Sequence, residues 1–263
     1  MFRLDLISEV KKDLDKIKSN LSKVLIIHYS CESFLNIKDG KTPRVTSIAI
    51  QNFKNSQTES FSIHKIAESK GYKSDLIINK YDELEKEMLD EYFDYIKHRS
   101  DCIFIHWNMR NINYGFSAIE HRYIALGGNP IRITDSNKVD LSILLVVLYG
   151  ENYIPHNEFG RMISLIKKNN ITDRNLLNGK EEADAFDNKE YVKLHQSTLR
   201  KVNCISDILF KTLDNTLKTD SKFLDRYGLH PKMLYHYLKD NWIFGLIMII
   251  IGLVSGIISI IGN

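Results

Sequence analysis

The sequence predicts an α/β domain with a mixed sheet flanked by helices, plus one C-terminal transmembrane helix. An apolar run at Lys23–Tyr29 is typical of a strand buried on both faces. Strand-like and helix-like segments then alternate along the chain, which is the pattern of a layered α/β domain. The segment Trp242–Gly262 is apolar and carries no charged residue, and this predicts the membrane helix.

Hydrophobic periodicity gives the order of the elements. Three predicted strands come first, at Lys23–Tyr29, Pro43–Gln51 and Glu59–His64, and the second and third form a predicted hairpin. The elements that follow are a helix at Tyr81–Arg99, a strand at Cys102–Trp107, a helix at Tyr114–Leu126, a short strand at Pro130–Thr134, a helix at Asp140–Leu148 with Asp140 as its N-cap, and further helices at Glu181–Phe186 and Gln196–Leu217.

The N-terminal 22 residues form a separate predicted element. Apolar residues recur there at helical spacing and indicate an amphipathic helix, which either packs on the domain or mediates self-association. We place the α/β domain at residues 23–218, a juxtamembrane linker at 219–241 and the transmembrane helix at 242–262. The formal net charge of +3 does not by itself indicate nucleic-acid binding. Three scattered cysteines without metal-ligand spacing indicate a reducing compartment.

The apolar segment is long enough to cross a bilayer. About 20 residues at 1.5 Å rise per residue span a hydrocarbon core of roughly 30 Å. Trp242 begins the segment, where an indole favours the headgroup region. We therefore predict a single-pass protein of the cell membrane that contacts lipid and keeps its N-terminal domain in the cytoplasm.

Small residues recur inside this segment. Gly252 and Gly256 form a GxxxG pattern, and Ser255 and Ser259 extend it. Such a strip lets helix backbones approach closely in lipid, so it predicts a homo-oligomer whose helices line a pore or perturb the bilayer. The alternative is that glycine is simply common in membrane helices.

Polar residues follow the first and fourth predicted strands and lie on the late helix. The three stretches are Ser30-Cys31-Glu32, His106 to Asn111 and His195 to Arg200. In strand order and in these positions, residues from about Lys23 to Leu213 resemble the ribonuclease H-like domain of the DnaQ-type (DEDD) 3′–5′ exonucleases. The resemblance implies a ribonuclease H-like fold and places Glu32 at the catalytic glutamate. In that family four acids hold two divalent metals that activate water.

The chain departs from the family pattern at three of the four acids. Ser30 and Asn111 stand at two acid positions, and Arg200 replaces the last aspartate. One carboxylate cannot neutralise two divalent cations, so we expect no metal site and no cofactor. Mg²⁺ or Mn²⁺ would be required only if other carboxylates complete an active nuclease, the candidates being Asp135, Asp140, Glu190 and Asp207.

A second set of residues at the same predicted strand ends has the chemistry of a ligand site. Arginine binds phosphate in a bidentate fork and histidine also pairs with phosphate, while Trp107 and Tyr114 would stack a base. The alternative is a set of structural hydrogen bonds. The candidate ligand-binding residues are His28, His106, Trp107, Asn108, Arg110, Asn111, His195 and Arg200.

These features predict a membrane-anchored effector. Its cytoplasmic domain would sense a nucleic acid or a partner protein, and its transmembrane helix would oligomerise and perturb the membrane. Antiviral defence is an analogy drawn from this layout alone. The alternatives are an active, membrane-tethered, metal-dependent exonuclease and a scaffold that recruits a partner protein to the membrane.

Overall fold

The computed structural model describes residues 3–32, 42–73, 76–222 and 225. Within these ranges the chain forms five strands and eight α-helices. The strands are β1 (Val24–Cys31), β2 (Val45–Asn52), β3 (Thr58–Ser62), β4 (Ile103–His106) and β5 (Lys138–Asp140). The helices are α1 (Arg3–Ser19), α2 (Ile63–Ser69), α3 (Tyr81–Lys97), α4 (Phe116–Ala125), α5 (Leu141–Tyr149), α6 (Gly160–Lys168), α7 (Gly179–Asp187) and α8 (Tyr191–Leu213).

The five strands form one mixed sheet in the order β3-β2-β1-β4-β5. The pairs β1–β2 and β2–β3 are antiparallel, whereas β1–β4 and β4–β5 are parallel. The predicted α/β class with a mixed sheet is therefore confirmed. The carboxyl ends of β1, β4 and β5 lie at one edge of the sheet, because parallel strands point the same way.

Strand β1 lies at the centre and is buried on both faces, as its apolar sequence predicts. Leu25, Ile27 and Tyr29 enter a core covered mainly by α3 and α4. Val24 and Ile26 enter a second core, formed with apolar side chains of α1, α5, α6 and α8. Alternate side chains of one strand therefore stabilise two helical layers.

Helix α1 packs on the domain, the first of the two alternatives that its sequence leaves open. Ile17 is 1% exposed and belongs to the second core. Val10 and Leu14 pack against the same core, and α1 contacts α5. The apolar stripe of α1 is therefore covered by the chain's own residues.

The predicted fifth strand is wrong in position. Residues 130–134 have no strand conformation, and the strand that pairs with β4 is Lys138–Asp140. Pro130 has no N–H to donate to a ladder, and Arg132 and Thr134 are exposed. Hydrophobic periodicity does not predict α2, and α8 begins at Tyr191 rather than at Gln196.

After α8 the chain returns to the ends of two other helices. The backbone N–H of Lys218 donates to Asn169 Oδ1 at the end of α6 (2.8 Å). Asp220 N–H donates to Tyr153 O (2.8 Å), and Ser221 Oγ donates to Tyr149 O at the end of α5 (2.7 Å). Residues 218–221, hereafter the return segment, are thus attached to α5 and α6.

The predicted membrane helix at 242–262, with Gly252, Ser255, Gly256 and Ser259, lies outside the described residues. So do residues 226–241 of the predicted linker. Among the described helices, none is both long enough and apolar enough to cross a bilayer.

Candidate functional site

Asp140 organises the edge of the sheet where β4 and β5 end. Its Oδ1 accepts hydrogen bonds from the backbone N–H of Ser142 (2.9 Å) and of Asn108 (3.2 Å). Its Oδ2 accepts from Arg110 Nη1 (2.5 Å). The carboxylate therefore caps α5, as predicted, and also fixes the loop after β4, where Asn108 takes a left-handed φ of 59°.

His106 is a buried neutral side chain at this edge. It pairs with Asp140 across the two strands and is 3% exposed. Burial lowers its pKa to about 4, although the Asp140 carboxylate, 4.0 Å from Nδ1, opposes this shift. Nδ1 accepts a hydrogen bond from Met109 N–H (3.2 Å), which assigns the ring proton to Nε2. At neutral pH His106 is therefore no cationic partner for phosphate.

His28 on β1 is also neutral. The side chain is buried, and desolvation holds its pKa well below the usual range, with Lys201 lowering it further. Its Nε2 lies 3.4 Å from the hydroxyl of Tyr114, and its Nδ1 has no hydrogen-bond partner among the described residues. The predicted role of His28 and His106 in binding phosphate as cations does not fit this burial.

A buried polar network closes the end of β1. Ser30 Oγ lies 2.7 Å from Thr198 Oγ1 on α8, which lies equally close to Ser47 Oγ on β2. Ser30 Oγ also donates to Glu182 Oε1 (3.1 Å), and Lys201 Nζ lies 2.6 Å from Glu182 Oε2. We call these five residues the Ser30 network: Ser30, Ser47, Glu182, Thr198 and Lys201.

The Ser30 network does not fit the two divalent metals of the exonuclease family. Ser30 stands at a family acid position, and its hydroxyl is held by Thr198 and Glu182. The carboxylate of Glu182 is already neutralised by the ammonium of Lys201. Among the residues that the structure describes, no cluster of three His, Cys, Asp or Glu side chains is placed to hold a metal ion. Two hard cations would lack the oxygen ligands that they require.

Glu32, the predicted catalytic residue, lies just beyond this network. A β-bulge shifts the register of β1 and β2 between Ser30 and Cys31. Glu32 Oε2 accepts from the backbone N–H of Arg44 at 3.4 Å, and Glu32 N–H donates to Arg44 O. In the described parts of the chain no hydrogen bond joins Glu32 to the Ser30 network.

His195 and Arg200, both on α8, are not brought to the ends of β4 and β5. The His195 ring packs on His64, with centroids 5.0 Å apart, and burial lowers its pKa to about 4. His64 follows β3, which lies three strand spacings, about 14 Å, from β4. Arg200 Nε donates to the carbonyl of Arg174 (3.1 Å).

Asn111 and Tyr114 have structural roles in the loop after β4. Their backbones exchange two hydrogen bonds, and Asn111 Oδ1 accepts from Asn113 N–H (2.8 Å). The Tyr114 ring stacks on Tyr29 at 4.7 Å, and its hydroxyl donates to Tyr29 O (3.2 Å). Tyr114 is therefore already stacked within the protein.

Three predicted ligand-binding residues do line one cavity. Trp107, Asn108 and Arg110 face a space of about 560 Å³ beside the start of α5 and the start of α6. Sequence reasoning missed the residues that complete this space, His156, Phe159 and Arg161. The available signal was the dense polar and aromatic composition around Gly160, which begins α6 with a φ of 83°.

Comparisons of the chain with protein-family models, with curated proteins and with solved structures found no match. The interpretation of the site therefore rests on its own geometry: a closed polar network at the end of β1 and an open cavity beyond β4.

Proposed function

We propose that this chain is a membrane-anchored recognition protein. Its N-terminal domain binds a nucleic acid or a partner protein without hydrolysing it, and its C-terminal helix oligomerises in the bilayer and perturbs it. The observation that carries the proposal is the Lys201–Glu182 pair, a buried ammonium and a partly buried carboxylate 2.6 Å apart beside Ser30. The strand order β3-β2-β1-β4-β5, with antiparallel pairing among β1, β2 and β3 and parallel pairing among β1, β4 and β5, supports the ribonuclease H-like interpretation.

The Ser30 network explains why such a domain would not cleave a phosphodiester. Cleavage by this family needs metal ions that polarise the phosphate and activate water. The Lys201 ammonium is held in place by Glu182, and unlike a metal ion it cannot coordinate a water molecule or a phosphate oxygen. The ion pair joins α7 to α8, and the bond from Ser30 holds both helices against β1. The fold is thereby stabilised without the metal ions that cleavage would need.

The predicted transmembrane helix would convert ligand recognition into a change in the membrane. A domain tied to one helix changes the local concentration and packing of that helix when a ligand brings copies together. The strip of small residues would form the helix contact. A role in antiviral defence remains an analogy of layout.

The first test is metal-dependent cleavage. We expect the full chain in detergent, with Mg²⁺ or Mn²⁺, to leave end-labelled single-stranded DNA and RNA uncut, at the background of a Glu32→Ala variant. The reason is that the single carboxylate of the Ser30 network is already paired with the Lys201 ammonium. Gel analysis of the labelled strands provides the measurement. Cleavage that Glu32→Ala abolishes would establish the alternative, a tethered exonuclease.

The second test is membrane perturbation. We expect Gly252→Ile and Gly256→Ile to abolish most of the dye release that the full chain causes from lipid vesicles, because bulk at these positions separates the helices. Val254→Ile is the matched control, since it adds bulk on the opposite side of the helix. A monomeric chain that releases no dye, with or without nucleic acid, would contradict the effector proposal. A scaffold would instead retain its function after exchange of the helix for an unrelated anchor.

A further inference from the structure

One cavity of the domain combines aromatic, apolar and cationic walls. It encloses about 560 Å³ between the loop after β4, the first turn of α5 and residues 156–162 around the start of α6. We call it the Trp107 cavity. Its volume is within the range of small-molecule sites in proteins.

Its aromatic walls come from two separate elements. Trp107 follows β4, and Phe159 precedes α6 with 42% of its surface exposed. The ammonium of Lys167 lies 5.1 Å from the centroid of the Phe159 ring. Ile143, Val146 and Met162 give the remaining apolar lining, so the cavity has a surface suited to a flat aromatic group.

Its charges are all of one sign. The cationic side chains of Arg110 and Arg161 line the cavity beside His156, and no Asp or Glu side chain is among the residues that do so. Asp140 holds Arg110 through Nη1 alone, which leaves two other nitrogens of this half-exposed guanidinium to bind an anion. The cavity would therefore attract an anion.

Arg161 is the second arginine of the cavity. Its Nη2 donates to the carbonyl of Glu151 (3.1 Å). Its Nε is buried and has no hydrogen-bond partner among the described residues. Arg161 therefore adds a second guanidinium to the cavity wall, and guanidinium groups suit anionic oxygens.

We propose that the Trp107 cavity binds a nucleotide, whose base stacks on Trp107 or Phe159 and whose phosphate binds Arg161 and Arg110. Guanidinium groups suit phosphate oxygens, and stacking accepts any base. The same chemistry is offered by a free nucleotide and by the terminal nucleotide of a single strand. This inference rests on the proposed recognition function and names its ligand class. A lipid headgroup would use the arginines but would leave both aromatic walls unused.

The test measures binding of a fluorescently labelled single-stranded 12-mer, as DNA and as RNA, to the full chain in nanodiscs of phosphatidylcholine. We expect Phe159→Ala and Arg161→Gln each to weaken binding roughly tenfold, because the first removes a stacking surface for the base and the second removes a guanidinium for the phosphate. The matched controls are Phe210→Ala, at a phenylalanine 61% exposed on α8, and Arg132→Gln, at an arginine whose side chain is 74% exposed. Both controls are expected to bind as the unmodified chain does.

Competitors then identify the source of the nucleotide. Displacement of the 12-mer by nucleoside monophosphates, and not by inorganic phosphate, supports a free nucleotide. Displacement only by strands with an accessible end supports a strand terminus. Since Arg161 also holds the Glu151 carbonyl, His156→Ala at an exposed position tests the same cavity without that contact.

Three results would overturn the assignment. Binding of the 12-mer that neither Phe159→Ala nor His156→Ala weakens would place recognition elsewhere and leave the proposed function standing. Tight association with anionic vesicles that nucleotides do not displace would identify a lipid headgroup instead. Absence of binding to every strand and nucleotide would reject the cavity and the nucleic-acid form of the proposed function together.

Discussion

Replacement of Lys201 by methionine is expected to lower the free energy of unfolding by about 3–5 kcal/mol. The Lys201 side chain is 8% exposed, and its ammonium is 2.6 Å from Glu182, whose side chain is 16% exposed. Without Lys201 the Glu182 carboxylate keeps, from the described part of the chain, the hydroxyl donors of Ser30 and Ser197. A largely enclosed carboxylate without its cationic partner is the physical source of this loss, which chemical denaturation of the full chain measures.

Two variants separate this explanation from simple loss of packing. Lys193→Met on the same helix removes an exposed pair with Glu190 (2.9 Å), and we expect a cost below about 1 kcal/mol. The double variant Lys201→Met with Glu182→Gln removes both buried charges, so it should recover part of the stability. A Lys201→Met protein as stable as the Lys193→Met control would show that Glu182 is well solvated and that the network is not closed.

Replacement of Arg122 by methionine is expected to destabilise the domain by a similar amount, about 3–5 kcal/mol at pH 8. Glu85 is fully buried, and Arg122 donates to both of its oxygens from Nε and Nη2, at 2.7–3.0 Å. The backbone N–H of Val45 donates to the same carboxylate (2.7 Å). Removal of the guanidinium leaves one backbone donor for a buried charge.

The cost of Arg122→Met should shrink as the pH falls. Burial raises the pKa of Glu85 to about 6 even though Arg122 opposes the shift, and loss of Arg122 would raise it further. Because the folded pKa is raised, folding takes up a proton, and stability falls as the pH rises from the unfolded pKa through the folded one. Near pH 5 the Glu85 carboxyl of the variant is protonated, and most of the charge penalty is gone.

Denaturation of both proteins at pH 5 and at pH 8 measures this difference, since other titrating groups contribute equally to each. The control variant Arg122→Met with Glu85→Gln has no carboxyl at position 85, so its stability should lack the fall between pH 5 and pH 8 that Glu85 gives the single variant. A cost for Arg122→Met that is constant between the two pH values would assign the effect to packing rather than to the Glu85 charge.

The central strands were predictable because their apolar residues are dense and local. Nearly all residues of β1, β2 and β4 are buried, and many of them are β-branched or aromatic. β5 has only three residues, all partly exposed, so hydrophobic periodicity carries no signal for it. The segment Pro130–Thr134 has isoleucines that mimic a strand, and only the register with β4 distinguishes the two.

The site was predictable only in outline. The stretch at the end of β1 pointed to Ser30, but the partners of Ser30 come from helices more than 150 residues later, which no local pattern shows. On α8 the resemblance pointed to Arg200, whereas Lys201 faces the sheet. One helical position rotates a side chain by 100°, so a shift of one residue exchanges an outward guanidinium for a buried ammonium. The helical rotation also directs the His195 side chain away from the ends of β4 and β5 and towards His64.

The return segment determines where mechanical force would enter the domain. A pull transmitted along the chain from its C-terminal side reaches the hydrogen bonds of Lys218, Asp220 and Ser221 before it reaches α8. The bonds of Lys218 and Ser221 transmit the force to the C-terminal ends of α6 and α5. The N-terminal ends of these helices lie at Gly160 and Asp140. Tension would thus act along α5 and α6 towards their first turns, which line the Trp107 cavity.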